Sequence, residues 1–291
     1  MDRRRFLALA GIGAAGAATG ATGTGVVIGR ATASAESPGA VADVRLEQPL
    51  DPRTGTHRII WSVETERPLA ALTFDDGPDP DFTPRILDIL EEHGARGTFM
   101  MMGYNVALHP DIARRVVDGG HEVGNHTWSH LNLLRETDQR QYEEIARAHE
   151  AIEDATGEHC AWFRPPRGQL TGASVRYAAA LGYDTLLWSV ERGAPGVGTP
   201  DAVADYVEAH LGAGDIIDLH DGIGRGTFDP DTDHATTSRE RREVEVDALP
   251  RMIRDATDRG LELVTMSDLL AAETSPLPQE ADDPAREGDG A

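Results

Sequence analysis

From residue 69 onward, short apolar runs alternate with longer segments whose apolar positions recur every three or four residues. The first pattern is that of buried strands and the second that of amphipathic helices. Seven strands are predicted, at 69–74, 97–101, 121–124, 162–164, 183–190, 215–220 and 261–265. Helices are predicted at 83–93, 110–118, 137–156, 172–181, 200–211 and 246–259. Several of them stop before a glycine, as at Gly94, Gly157 and Gly182, where a left-handed residue can cap the last turn. Strand-then-helix alternation with short connections predicts parallel strands joined by crossover helices. Seven strands are one short of a complete eightfold barrel, so the simplest closure is an α/β fold of one domain, a distorted or incomplete (β/α)7 barrel. A doubly wound open sheet gives the same alternation, and either architecture collects function at the carboxyl ends of the strands. Residues 221–242 are expected to form a long polar loop at that end.

The flanks differ in character. Arg3, Arg4, Arg5, Phe6 and Leu7 precede an uncharged stretch rich in Ala and Gly, which resembles a twin-arginine export signal, and Ala33-Ser34-Ala35 supplies a small-x-small cleavage site. An uncleaved anchor is the competing reading, because the stretch is long enough to span a membrane. Its Gly and Thr content makes it weakly hydrophobic and favours cleavage. The expected organisation is therefore a signal peptide at 1–35, a linker and N-terminal extension at 36–66, the barrel at 67–272, and a disordered acidic tail at 273–291. Export would leave the protein extracellular or associated with the cell wall, with no stable membrane insertion after cleavage.

Composition narrows the partners. A formal charge of −23 leaves no broad face that could neutralise phosphates, which argues against nucleic acid. The basic residues are all arginine, a compositional bias with little mechanism in it. The single cysteine, Cys160, excludes an intramolecular disulfide or a cysteine-based zinc site, and beside Ala161 and Trp162 it reads as a small buried hydrophobe.

Polar residues interrupt the scaffold at four strand ends. The first strand ends in Thr73-Phe74-Asp75-Asp76-Gly77-Pro78, where adjacent carboxylates point in different directions and can take different tasks, although Asp-Gly-Pro is also plain turn chemistry. The third ends in His126-Thr127-Trp128-Ser129-His130. On a helical turn this spacing puts both imidazoles on one face, about 5–6 Å apart at Cβ, which suits one metal ion. Two histidines and a carboxylate leave an open coordination position, the composition of a catalytic site; a pair of surface or capping histidines is the bland alternative. The fourth strand ends in Arg164-Pro165-Pro166-Arg167-Gly168, a stiffened turn that can aim a main-chain N–H at a developing oxyanion. The sixth ends in Leu219-His220-Asp221, and His220 taken alone reads as a hydrogen-bonded structural residue.

Together, Thr-Phe-Asp-Asp-Gly-Pro, His-Thr-Trp-Ser-His, Arg-Pro-Pro-x-Gly and Leu-His-Asp resemble the motifs of the NodB-homology polysaccharide deacetylases, carbohydrate esterase family 4, over roughly residues 69–270. The resemblance implies a distorted seven-stranded barrel acting on a carbohydrate polymer, here with no nucleic acid and as a monomer. It further implies that Asp75 is the general base and that Asp76, His126 and His130 hold one divalent ion, zinc or cobalt. His220 would be the general acid, Arg164 would orient the base, and the Arg167 amide would help stabilise the oxyanion. Pro166, Gly168, Trp188 and Leu219 would line the substrate site. The family usually has an aromatic residue at position 167. It also shows Asp-x-x-Asp-Trp after the tryptophan of the fifth strand, a segment that keeps an acid beside the general-acid histidine. Here Trp188-Ser189-Val190 runs into Glu191-Arg192-Gly193 instead. Asp218 or Glu191 is expected to replace the missing carboxylate, since a period of two puts Asp218 on the face of His220; alternatively Asp218 pairs with an arginine inside the barrel. The substrate is expected to be an N-acetylglucosamine polymer, peptidoglycan or chitin-like. An acetylxylan O-deacetylase using the same site and a non-catalytic carbohydrate-binding barrel are the alternatives.

Overall fold

The apolar runs become parallel strands arranged around one axis. In the computed structural model, which describes residues 57–193 and 196–274, the elements follow in the order β1 (Ile59–Ile60), β2 (Leu69–Asp75), α1 (Thr83–His93), β3 (Thr98–Met101), α2 (Gly103–Leu108), α3 (Pro110–Asp118), β4 (Glu122–Asn125), α4 (Asp138–Thr156), β5 (Trp162–Phe163), α5 (Gly172–Leu181), β6 (Asp184–Leu186), β7 (Val190–Glu191), α6 (Pro200–His210), β8 (Ile216–His220), α7 (Asp233–Asp258), β9 (Glu262–Val264) and α8 (Met266–Leu270). The expected signal peptide, most of the linker and the tail from residue 275 lie outside the described residues. Among those described, no helix is long and apolar enough to cross a membrane.

The sheet curls through β1-β6-β5-β4-β3-β2-β8-β7, every ladder being parallel. At Ala71, β2 pairs with β8 on one edge and β9 on the other; at Thr73 it pairs with β8 and β3. Strands β9 and β3 therefore share one edge of β2, one serving its start and the other its end. This is the distorted, incomplete barrel that the sequence predicts.

Three local expectations change. The predicted strand 183–190 divides into β6, which pairs with β1 and β5, and β7, which pairs with β8. The chain switches partners across 187–189, and the Leu186 and Leu187 carbonyls accept hydrogen bonds from the Arg164 guanidinium. Residues 57–66 are not all linker: β1 joins the sheet, and Val63 donates its N–H to the Gly214 carbonyl. The expected polar loop 221–242 is helical from Asp233 onward, as the first part of α7. Its inward positions Ala235, Ser238, Arg242 and Glu245 recur at helical spacing but are mostly polar, so an apolar periodicity does not reveal them.

Alternation along the strands sorts the interior by depth. Ala70, Leu72 and Phe74 of β2, Phe99 and Met101 of β3, and Ile217 and Leu219 of β8 face the larger core beneath the helices. Leu69, Ala71, Met100, Trp162, Leu186 and Ile216 face inward, where Met266 and Leu269 of α8 pack against them. Further along the same inward faces the side chains become Thr73, Asp75, Arg164, Asp218 and His220, so the barrel is apolar at one end and ionisable at the other. Cys160 is buried in the larger core, and burial raises its thiol well above the ordinary range. Phe99 is fully buried and stacks on Phe74 at 4.9 Å between ring centroids. Phe99→Ala is expected to lower unfolding free energy by about 3–5 kcal/mol, read from the urea transition.

Candidate active site

Four of the described residues other than glycine adopt positive φ: Asp76 (80°), Thr127 (68°), His130 (54°) and Arg167 (61°). All four fall in the motifs found at strand ends. Left-handed backbone costs a side-chain-bearing residue roughly 1–2 kcal/mol, and it persists where neighbouring structure over-determines it. Asn125 Oδ1 accepts the Thr127 N–H at 2.8 Å, and Thr127 Oγ1 accepts the His130 N–H at 3.1 Å. At the other side of the loop, Ser129 is pinned by Glu144 of α4, whose carboxylate receives both its N–H and its hydroxyl. The two histidines are thus carried by a tight loop and not by the helical turn their spacing suggested. Their rings still converge, with centroids 5.1 Å apart.

His126 Nε2 and His130 Nε2 lie 3.7 and 3.4 Å from the same oxygen, Asp76 Oδ1. That oxygen is buried and has no hydrogen-bond donor. His126 Nδ1 stands 2.8 Å from the Arg164 carbonyl, which can only accept, so Nδ1 is the donor there and Nε2 is the nitrogen turned toward Asp76. Burial, assisted by His126 and Arg167 and opposed by Asp76, lowers His130 to about 4, which keeps this imidazole neutral at pH 7. Burial tends to raise Asp76, but His130, His220, His126 and Arg242 outweigh it and hold the carboxyl well below the ordinary range. Two convergent imidazoles and an anionic oxygen with an unused lone pair fit a divalent cation, with coordination positions to spare.

Asp75 points to the other side of the strand end. Its Oδ1 accepts Arg164 Nη1 at 2.6 Å, and its Oδ2 lies 3.5 Å from His126 Nε2. Arg164 is 0% exposed, and the same Nη1 also reaches Thr73 Oγ1 at 2.9 Å and Asp218 Oδ1 at 3.1 Å. The expected pairing of Asp218 with a barrel arginine is therefore present. Burial and the neighbouring Asp75, opposed by His220 and Arg164, push Asp218 up to about 7.

Among the expected lining residues, Arg167 sits at the bend after β5, whose turn is closed by the Gly168 N–H on the Pro165 carbonyl. Gly168 has φ 64°, and a Cβ there would lie 3.0 Å from Trp188 Cη2, so glycine permits the close approach of these two segments. Pro166 is buried in the same turn. Leu219 is a correction: it is 1% exposed and points into the core beneath the helices, because only its neighbours Asp218 and His220 have the inward parity. Glu191 is exposed on β7.

His220 meets its carboxylate from a different direction than expected. Glu245 of α7 places Oε2 at 2.9 Å from the His220 backbone nitrogen, whose N–H it accepts, and 3.4 Å from Nδ1. Burial and Arg242 push His220 down, but Glu245 and Asp218 prevail and raise it to about 9. Apolar periodicity could not have identified Glu245, which falls between the expected loop and the expected helix. The buried His149 and the exposed His159 share Glu153, at 3.6 and 2.7 Å.

The polysaccharide deacetylase family model matches residues 62–186. A peptidoglycan-N-acetylglucosamine deacetylase of Bacillus cereus is 33% identical over 77% of this chain and 97% of its own length. The chain belongs to the NodB-homology polysaccharide deacetylases, carbohydrate esterase family 4. A chitooligosaccharide deacetylase of Sinorhizobium fredii is 38% identical over 67% of this chain and 89% of its own. Among solved structures, a peptidoglycan N-acetylglucosamine deacetylase in complex with 4-naphthalen-1-yl-N-oxidanyl-benzamide superposes with a TM-score of 0.65 at 27% identity, covering 76% of this chain and 96% of that one. The chain is accordingly a polysaccharide deacetylase with a triad able to hold a metal ion.

Two outcomes follow from this geometry. If the triad holds a divalent cation, His130→Ala should weaken its binding by more than about a hundredfold in equilibrium dialysis with zinc or cobalt as the probe, with the fold retained. Because folding raises His220 above its unfolded value of 6.5, toward about 9, its contribution to stability is complete below pH 6.5 and is lost as pH rises through 9. In the metal-free protein this term amounts to at most about 3 kcal/mol, and His220→Gln should flatten the decline of the urea midpoint between those pH values.

Proposed function

We propose that this protein hydrolyses N-acetyl groups from N-acetylglucosamine polymers, peptidoglycan first and chitin oligomers second, using one zinc ion held by Asp76, His126 and His130. The observation that carries the proposal is the placement of two proton-transfer groups at one strand end: Asp75 anchored on Arg164, and His220 paired with it in register on the neighbouring strand and backed by Glu245. The named relatives support the substrate class. The twin-arginine-type leader supports export, which would bring a monomeric enzyme to the wall polymer.

When bound, the ion supplies Lewis acidity, lowering the pKa of water and drawing charge from the acetyl oxygen. Asp75 takes a proton from the attacking water as the new C–O bond forms. Arg164, bonded to its Oδ1, orients the carboxylate and leaves Oδ2 on the side of His126. The amide of Arg167, in the turn after β5, would donate to the tetrahedral oxyanion. Collapse breaks the C–N bond. His220 delivers a proton to the departing nitrogen, giving the free amine and acetic acid, which loses its own proton to solvent. An amide nitrogen leaves poorly unless protonated, which is why a second acid–base group is required opposite the first.

Acetate release from peptidoglycan, chitin oligomers and acetylxylan, each with zinc, cobalt or chelator, tests this reading. Zinc-dependent release from the N-acetylated polymers is expected, with Asp75→Asn lowering kcat by at least about a hundredfold. Release from acetylxylan alone would assign ester chemistry, and binding of chitin oligomers without acetate release would make the barrel a binding module.

A further inference from the structure

After Trp188, where the family motif carries a second acid, this chain has Arg192, and the acid beside the general-acid histidine arrives from helix α7. Glu245 is 2% exposed, and each of its oxygens is engaged twice. Oε2 accepts the His220 backbone N–H and faces His220 Nδ1. Oε1 receives Arg242 Nη1 at 3.0 Å and lies 2.9 Å from Arg192 Nε. A carboxylate bound to both the backbone and the ring of one residue restricts rotation of that side chain, and two guanidinium groups on its other oxygen prevent it from turning away. With Nδ1 facing the Glu245 carboxylate at 3.4 Å, Nε2 is the ring nitrogen left for substrate. Beside His220 and Asp218 opens a cavity of about 290 Å³ that also touches Glu191, Arg192 and Arg241.

Resting on the deacetylase reading above, we infer that Glu245 is the positioning residue of His220, fixing the imidazole through Nδ1 so that Nε2 faces the leaving nitrogen, and that Arg192 and Arg242 lock Glu245 in that role. The acid lost from the segment after Trp188 is replaced from another element, and the arginine now in that segment serves the replacement. Asp218 is the weaker candidate because its ion pair is with Arg164, whereas that of Glu245 reaches the His220 ring. The charged groups acting on His220 are Glu245 and Arg242 from α7, Asp218 from its own strand, and Asp76 from the end of β2. Glu245 itself is held below the ordinary carboxylate range: burial works against this, and Arg242, His220 and Arg192 overcome it.

The test uses zinc-loaded Glu245→Gln, which preserves shape and removes the charge, with two independent readings. In steady-state deacetylation, kcat should fall at least about tenfold with KM changed less than about twofold, and the alkaline limb of the kcat profile should move to lower pH. In NMR of protein labelled at histidine nitrogen, the His220 midpoint should fall by at least about one unit, and the neutral ring should lose its preference for a proton on Nδ1. Glu245→Asp, which keeps the charge and withdraws it by one methylene, should recover part of both effects, and it takes over the comparison with wild type if the glutamine variant does not fold. A zinc-bound Glu245→Gln protein with unchanged kcat, pH limb and His220 titration would overturn the inference. If the wild type releases no acetate, the functional reading fails, while the NMR reading still decides the role of Glu245.

Discussion

The guanidinium of Arg164 is sealed from water inside the upper half of the barrel, and much of the site is arranged around it. A buried charge of this kind persists only where anions and hydrogen-bond acceptors surround it. Arg164 finds them in Asp75, Asp218 and Thr73 on neighbouring strands and in the carbonyls of Leu186 and Leu187. Those last two contacts coincide with the break between β6 and β7, where a regular ladder stops and the chain crosses toward β8. The same residue offers its own carbonyl to His126 Nδ1, which leaves Nε2 turned toward Asp76. One side chain and its main chain thereby connect Asp75, the Asp76–His126–His130 cluster and the closure of the sheet.

Around that centre, charges are paired in an order that suits the chemistry. Asp76 has one oxygen without a hydrogen-bond donor, while Arg242 approaches the other at 3.5 Å. Arg242 also reaches Glu245, and Glu245 reaches His220, so a continuous chain of ion pairs runs from Asp76 to His220. Asp221 lies behind this layer and receives the Gly77 N–H and the Thr83 hydroxyl, fixing the turn that follows Asp76. A Cβ at Gly77 would collide with that carboxylate, so the glycine is required by close approach. The strained φ values at Asp76, Thr127, His130 and Arg167 are tolerated because the loops carrying them are tied at several points to the barrel.

The sequence by itself located the main strands and helices and the polar residues at the strand ends, and its motif resemblance, not the alternation, chose the barrel over an open sheet. Strand parity and helical periodicity are local properties, and buried strands must show them wherever they lie. Asp75, Asp76, His126, His130, Arg164 and His220 were legible because each follows directly on an apolar strand, where a polar run is conspicuous. Local pattern also misled: His-x-x-x-His suggested a helical turn, and Leu219 was assigned to the substrate although its parity sends it to the core. Only the tertiary structure decided the partner of His220. Glu245 belongs to a helix whose inward face is polar because it covers a charged site, so the hydrophobic contrast that reveals a helix is absent there. Twenty-five residues separate it from His220 in the chain. A buried ion pair of that separation is set by how elements pack, and no spacing along the chain encodes it.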